Sequence, residues 1–434
     1  MLFHRKLSCA AGLVAVAGSL LIFTGSAQAG GFAVREQSAY YQGMSFAGSG
    51  TGDTLSSMYW NSAAAAAAPG LNAESHIAII VPDSEITASG GGALLLGLGS
   101  ESGDIADPAF VPASYGNYQL TDQLYLGLAI NSGFGLVTKP DNIDWAGSIL
   151  AITSDVFTIN VNPTLAYRVT PELTIGLGVQ IEYLEVRLNN NPSPLAPIVG
   201  LPLTPRSAEL DDIGIGATAG AVWTPLAGTT IGIGWRSAVD FDLEGDYQNF
   251  AIAGDAEAEL TLPDILTIGL RQRLTHTVDL LLGYEWTNWS RVGTIPVVVG
   301  GVTPEELRLN YDDGHFVSAG LEYDYSPDTT LRFGIAWEQS PISDTERNVL
   351  LPDSDRFWVS VGATHRFSDR ISVDLGYTHI FADDAPICRA LDGEPCGEGP
   401  GVLIEAEGDA SVDIVAASFK YQWGAPEPVL EPLK

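Results

Sequence analysis

The residues of this chain that could do chemistry point to binding rather than bond-making. Three stretches that interrupt the patterned segments are apolar where loops are ordinarily polar: GGGALLLGLG at 90–99, PLAPIVGLPL at 194–203 and TIPVVVGGV at 294–302. Contiguous apolar surface of this kind is avoided in water unless it covers or holds something. The loops either pack on one another as a cap or form a greasy concave groove, with Leu195, Ile198 and Leu201 among its lining, that takes a hydrophobic ligand. Cys388 and Cys396 share the last long connection, and in an exported chain such a pair is expected to staple its loop without redox activity. The acid pairs Asp211-Asp212, Asp312-Asp313 and Asp383-Asp384 fall at strand ends. There a solvated rim, or one bridged by divalent cations to lipopolysaccharide, is expected ahead of catalysis. The zinc-protease helix motif, the P-loop and the dinucleotide fingerprint are absent from the sequence; GSGTG at 48–52 has no strand before it or helix after it. The six His are scattered rather than clustered as metal ligands. No enzyme, cofactor or metal is expected.

Charge and composition narrow the partners. Across 434 residues, 20 basic side chains face 53 acidic ones, a net charge of −33, so the footprint of a nucleic-acid binder or a polybasic membrane-surface protein is missing. With 46% hydrophobic residues, nine Trp, fifteen Tyr and fifteen Phe, the chain is not a disordered one. Residues 1–29 read as an export signal: His4, Arg5 and Lys6, an apolar run over about 10–23, then Ser26-Ala27-Gln28-Ala29. Cleavage is predicted after Ala29, so that the mature chain begins at Gly30 and the loss of Arg5 and Lys6 moves the charge to −35. No later stretch has 18 consecutive apolar residues, so any membrane crossing must be made by strands.

The elements that position these loops have a period of two. Val278, Leu280, Leu282, Tyr284 and Trp286 alternate with Asp279, Leu281, Gly283, Glu285 and Thr287, and the same comb recurs at 331–337 and 371–377. Six tight turns, near 121–122, 170–172, 225–228, 274–277, 326–328 and 368–370, alternate with seven long connections. The long ones lie at about 88–111, 136–154, 189–207, 246–256, 290–309, 339–354 and 383–405. Thirteen connections join fourteen strands, and strict short–long alternation suits an antiparallel transmembrane β-barrel over 72–423 better than a soluble β-sandwich. The apolar comb then faces lipid and the Gly, Ser, Thr, Asp, Glu and Arg comb lines the lumen. Trp223, Trp235, Trp286, Trp289, Trp337 and Trp423 are candidates for the interfacial girdles. Residues 30–71, rich in Gly, Ser and Ala, are too small and polar to form their own core and are expected to plug the barrel, with a periplasmic leader as the alternative. A Pro-rich tail occupies 424–434.

Four stretches carry a family resemblance: the mature start GGF, NSGFGLVT at 131–138, LPDILTIGLRQRL with WTNWS within 262–290, and FGIAWEQSPISDTERNVLLPDSDRFWVSVGATHRFSDRISVDLGY at 333–377. Together they resemble the FadL-type outer-membrane transporters of long-chain fatty acids and other hydrophobic compounds. The resemblance implies an all-β, 14-stranded barrel with an N-terminal hatch, an extracellular apolar groove, an inner pocket beside Phe32, and sideways exit where the third strand kinks. Asn131 and Gly133-Phe134-Gly135 occupy the kink, and Asn61-Ser62-Ala63 stands where the family has Asn-Pro-Ala in its hatch. Arg187 and Arg308 lie nearest the family's carboxylate-binding positions, each slightly out of register, which shifts the expectation toward uncharged hydrocarbons. The function expected is passive, ligand-gated uptake across the outer membrane of a Gram-negative bacterium by a monomer. Long-chain fatty acids are the first expected ligand and aromatic or aliphatic hydrocarbons the second. A structural or adhesive barrel and a hydrophilic porin are the readings from other classes.

Overall fold

A computed structural model describes residues 30–190, 206–248 and 253–423, so the signal segment, the tail and part of two loops lie outside it. Fourteen antiparallel strands form one closed sheet. They are β1 (Leu71–Gly90), β2 (Ala109–Gln119), β3 (Leu124–Asn131 continued by Gly135–Thr138), β4 (Thr153–Thr170), β5 (Leu173–Asn190), β6 (Arg206–Leu226) and β7 (Thr229–Arg236 continued by Val239–Gln248). The second half comprises β8 (Ala253–Leu262 continued by Ile265–Arg273), β9 (Val278–Thr287), β10 (Gly314–Ser326), β11 (Thr329–Gln339), β12 (Arg356–Ser368), β13 (Ile371–Ala382) and β14 (Ile404–Gln422). Closure is made by β1 on β14, in register from Asn72↔Gln422 to Ala88↔Ala406, so the first and last strands leave no terminal edge. β1 is 20 residues long, about twice the 9–11 needed to cross a bilayer, and the wall therefore rises well beyond the membrane at the long-loop end.

Alternation decides which face meets lipid. On β1 the outward Ile77, Ile79 and Val81 are exposed, while Asn72, Glu74 and His76 point inward and are buried. Trp223 and Trp423 stand exposed at the short-turn end, Trp235 and Trp337 at the other, as girdles require. Trp289 is not among them: it leaves the wall on a 3-10 turn (Trp289–Arg291) and is buried at 1% exposure, because the strand comb ends at Thr287.

Two strands change face part-way. In β7 the inward residues are Gly232, Gly234 and Arg236 before Ser237-Ala238, and Val239, Phe241 and Leu243 after it; β8 shifts likewise at Pro263-Asp264. One extra residue reverses the alternation. Above the break the apolar side chains of β7 therefore turn into the lumen while Asp240, Asp242 and Glu244 turn outward. The β6–β7 ladder is accordingly laid in two pieces, Ser207–Asp211 on Glu244–Gln248 and Thr218–Leu226 on Thr229–Arg236. The long connection at 290–309 is not plain loop but holds a hairpin (Thr294–Val299 with Val302–Arg308); its β-branched run turns at Gly300-Gly301, both at positive φ.

Residues 30–66 lie inside the closed wall and are almost wholly buried, the exceptions being Gly52 and Asp53. This segment has one short helix (Ala39–Gln42) against β12–β14 and 3-10 turns at Ser49–Thr51, Leu55–Tyr59 and Ser62–Ala66 against β1–β8. Inward glycines let its backbone approach the wall: a Cβ at Gly232 would lie 1.8 Å from the Gly50 carbonyl oxygen, and one at Gly234 would lie 1.7 Å from that of Trp60. On the neighbouring strands β8–β10 a charged belt grips it. Arg271 contacts Asp279 and Glu322 at 2.5 Å each and Asp53 at 3.4 Å, and Tyr40 donates its hydroxyl to Glu322 at 2.8 Å.

Candidate functional site

Above the lumenal segment the barrel interior changes character. On β5 the inward residues run Gln180, Glu182, then Leu184 and Val186. Leu184 joins Leu210 of β6, Phe241 and Leu243 of β7, Leu260 and Leu262 of β8, and Val297 and Val299 of the loop hairpin in one apolar cluster. A lumen is ordinarily polar. Here the face changes in β7 and β8 build an apolar shaft that leads down from the loops. At its outer end a cavity of about 100 Å³ is lined by Leu150, Leu188, Ala208, Tyr247, Val297, Leu307 and Leu350, with Arg206 and Glu306 as charged rim.

The shaft ends at a break in the wall. β2 pairs with β3 only as far as Ser114↔Ile130, and β3 is interrupted between Asn131 and Gly135. The lumenal segment fills the break from inside as a short strand. Val34 N–H donates to the Gly133 carbonyl and Gly135 N–H to the Phe32 carbonyl, both at 2.8 Å, with Ala33 bridging Phe134. Gln37 donates its side-chain amide to the Ser132 carbonyl at 2.5 Å, and Thr158 of β4 donates to the Phe134 carbonyl at 2.8 Å. Three rings close the floor edge-to-face: Phe32–Trp289 at 4.6 Å, Phe134–Trp289 at 5.8 Å and Phe32–Phe134 at 6.0 Å between centroids. Asn131, 2% exposed, has both amide atoms without hydrogen-bond partners among the described residues.

The other sequence candidates fall at different levels. Asn61 donates to the carbonyls of Gly50 and Ala221 and caps Ala63 N–H through Oδ1 at 2.9 Å, while Ser62 bonds Thr218 on β6 at 2.7 Å. Ser62 opens a 3-10 turn, where either Pro or a side chain with its own wall contact serves. Arg187 contacts Glu185 at 2.9 Å, Glu209 at 2.8 Å and Asp155 at 3.9 Å. Arg308 meets Glu346, Glu394 and Glu398 at 2.7–2.8 Å; the Glu346 hydrogen bond foremost raises its already high pKa. Arg308 thus ties the hairpin to two neighbouring loops and stands apart from Phe32, rather than waiting as a free cation. One of those loops carries the Cys388–Cys396 disulfide. Leu195, Ile198 and Leu201 lie outside the described residues. Thr158 and Gln37 were not singled out by sequence reasoning, and Trp289 was expected in a girdle rather than at this floor. Trp289 was a girdle candidate because it lies near a strand end, and nothing local marks the turn that buries it.

Residues 20–423 match the family described as outer membrane protein transport protein (OMPP1/FadL/TodX). The chain belongs to that family. Outer membrane protein P1 of Haemophilus influenzae is 30% identical over 328 residues, 68% of this chain and 69% of that protein. The long-chain fatty acid transport protein of an Escherichia coli strain is 27% identical over 67% of this chain and 72% of its own. The crystal structure of a Pseudomonas aeruginosa FadL homologue superposes with a TM-score of 0.82 at 20% identity, over 91% of this chain and all of that one, which is a likeness of fold. This FadL-family chain is therefore an outer-membrane β-barrel for hydrophobic compounds.

Proposed function

We propose that the protein is a passive conduit for apolar small molecules, captured among the long loops, passed down the shaft and released sideways through the β3 break. The observation that carries this reading is the continuity of apolar, lumen-facing side chains from the outer cavity to Phe32 and Phe134 beside that break. A solute that crosses the polar lipopolysaccharide layer poorly gains a dry path, and leaving through the wall avoids the polar lower lumen. Residues 30–71 serve as the hatch, and the protein works as a monomer.

Long-chain fatty acids are the first ligand proposed, because the apolar lining runs from the loop hairpin to Phe32 and a relative named for that cargo matches 67% of the chain. Uncharged hydrocarbons are the second, favoured by one observation: Arg187 and Arg308 each already contact three carboxylates. Mass spectrometry of lipid co-purified with the folded protein, followed by competition between oleate and hexadecane, tests both. Ion conductance with no apolar ligand bound would replace this reading with a porin.

A further inference from the structure

The nitrogen of Gly30 sits in a built carboxylate site. It lies 3.1 Å from Glu338 Oε1, and Gly31 N–H donates to Asp353 Oδ2 at 2.9 Å. Both acids are buried, at 3% and 2% exposure. Arg35 bonds the same Glu338 oxygen at 2.8 Å and Glu285 at 2.7 Å, and Arg356 is paired with Asp353. Among the described residues, two guanidinium groups meet the side-chain oxygens of these three carboxylates, while a third, Arg347, bonds the Asp353 backbone carbonyl at 2.7 Å and pairs with Asp344. Glu338 Oε2 has no partner among the described residues. Buried carboxylates in excess are costly, so the site is one cation short.

We propose that removal of the export signal supplies that cation, making Glu338 and Asp353 the receptor of the mature α-ammonium. Under the signal peptidase, water cleaves the Ala29–Gly30 peptide bond. Its hydroxyl goes to the Ala29 acyl carbon and its proton to the Gly30 nitrogen, which takes one further proton from solvent. The nitrogen then has three protons to donate where it had one, and Glu338 has an oxygen to spare for them. Room exists beside it: a cavity of about 10 Å³ is lined by Gly30, Arg35, Trp289 and Glu338 among others. Glycine suits the position, because a Cβ at residue 30 would lie 2.6 Å from Glu338 Oε1. Two to four residues on, the same segment seals the β3 break through Phe32 and Val34. Maturation thus charges the anchor of the seal, a role beyond the transport reading and testable without any ligand.

The test uses protein purified from outer membranes in three forms: wild type, a form with one extra Ala inserted after Ala29 so that the mature chain starts one residue earlier, and Glu338→Gln. N-terminal sequencing of the wild type should begin at Gly30. Hydrogen exchange followed by mass spectrometry should rise about tenfold over 30–37 in both altered forms, with β11 and β12 still protected. The extra-residue form keeps Arg35–Glu338 intact and so isolates the ammonium; it decides alone if Glu338→Gln does not assemble. A mature chain that starts elsewhere, or exchange over 30–37 untouched by the extra residue, overturns the proposal.

Discussion

Val34 donates its backbone N–H to the carbonyl of Gly133 at 2.8 Å, so the first few residues of the lumenal segment complete a strand of the wall nearly a hundred positions later. The pairing is what the proposed sideways exit requires: the break in β3 is covered by backbone hydrogen bonds from residues 32–34, not by β2. Local openings of this kind cost far less than unzipping two wall strands.

Filling the break should block the exit. A Cβ at Gly133 would stand 3.0 Å from the Tyr59 hydroxyl, so Gly133→Val crowds Tyr59 and the seal together. Uptake of a radiolabelled apolar ligand should fall about tenfold, the equivalent of roughly 1.4 kcal/mol of added barrier. Heat-modifiable migration on gels should stay normal, and unchanged uptake would count against release through β3.

Lifting the lumenal segment should open a water path. Gly234→Val places side-chain atoms where the Trp60 carbonyl now lies, an overpacking expected to cost about 1–3 kcal/mol. Single-channel recording should show larger and more frequent conductance steps than wild type, together with a lower melting temperature by calorimetry. A tightly closed channel with wild-type stability would mean that the segment shifts without leaving.

Arg187 separates the two ligand classes. It is 40% exposed, so its ion pairs contribute little to stability and Arg187→Ala should fold normally. If it exchanges a protein carboxylate for a ligand carboxylate, the variant loses a charge-assisted hydrogen bond worth about 1.5–3 kcal/mol and binds oleate at least roughly tenfold more weakly. Binding of hexadecane should not change. Equal effects on both ligands would remove Arg187 from recognition.

Arg308 and the disulfide are expected to act on the loops as a unit. Arg308→Ala leaves Glu346, Glu394 and Glu398 facing one another, and Cys388→Ser with Cys396→Ser removes a short closed loop worth about 2–3 kcal/mol in chain entropy. Limited proteolysis should cut within 385–403 faster in either variant, while the barrel fragment stays intact. Resistance equal to wild type would place the stability of that loop elsewhere.

Composition, period and connection lengths were enough to establish an all-β chain of fourteen strands whose apolar comb faces lipid. A period of two and alternating loop lengths are local properties, and closing the barrel adds only the β1–β14 seam to them. The resemblance pointed to Phe32, Gly133, Phe134 and Gly135 one residue at a time. Their contact could not be read that way, because it joins segments a hundred positions apart through backbone groups that every residue carries. The apolar shaft was hidden for a related reason. Val239, Phe241 and Leu243 look like another lipid-facing comb until the extra residue at Ser237-Ala238 turns them inward, and a one-residue shift leaves no mark in composition. The partners of Arg187 and Arg308 belong to the same class. Sequence alone determined the architecture and its solvent; which side chains meet inside it was decided by strand register and by the folding of residues 30–66 back into the lumen, because both depend on long-range contacts rather than on local pattern.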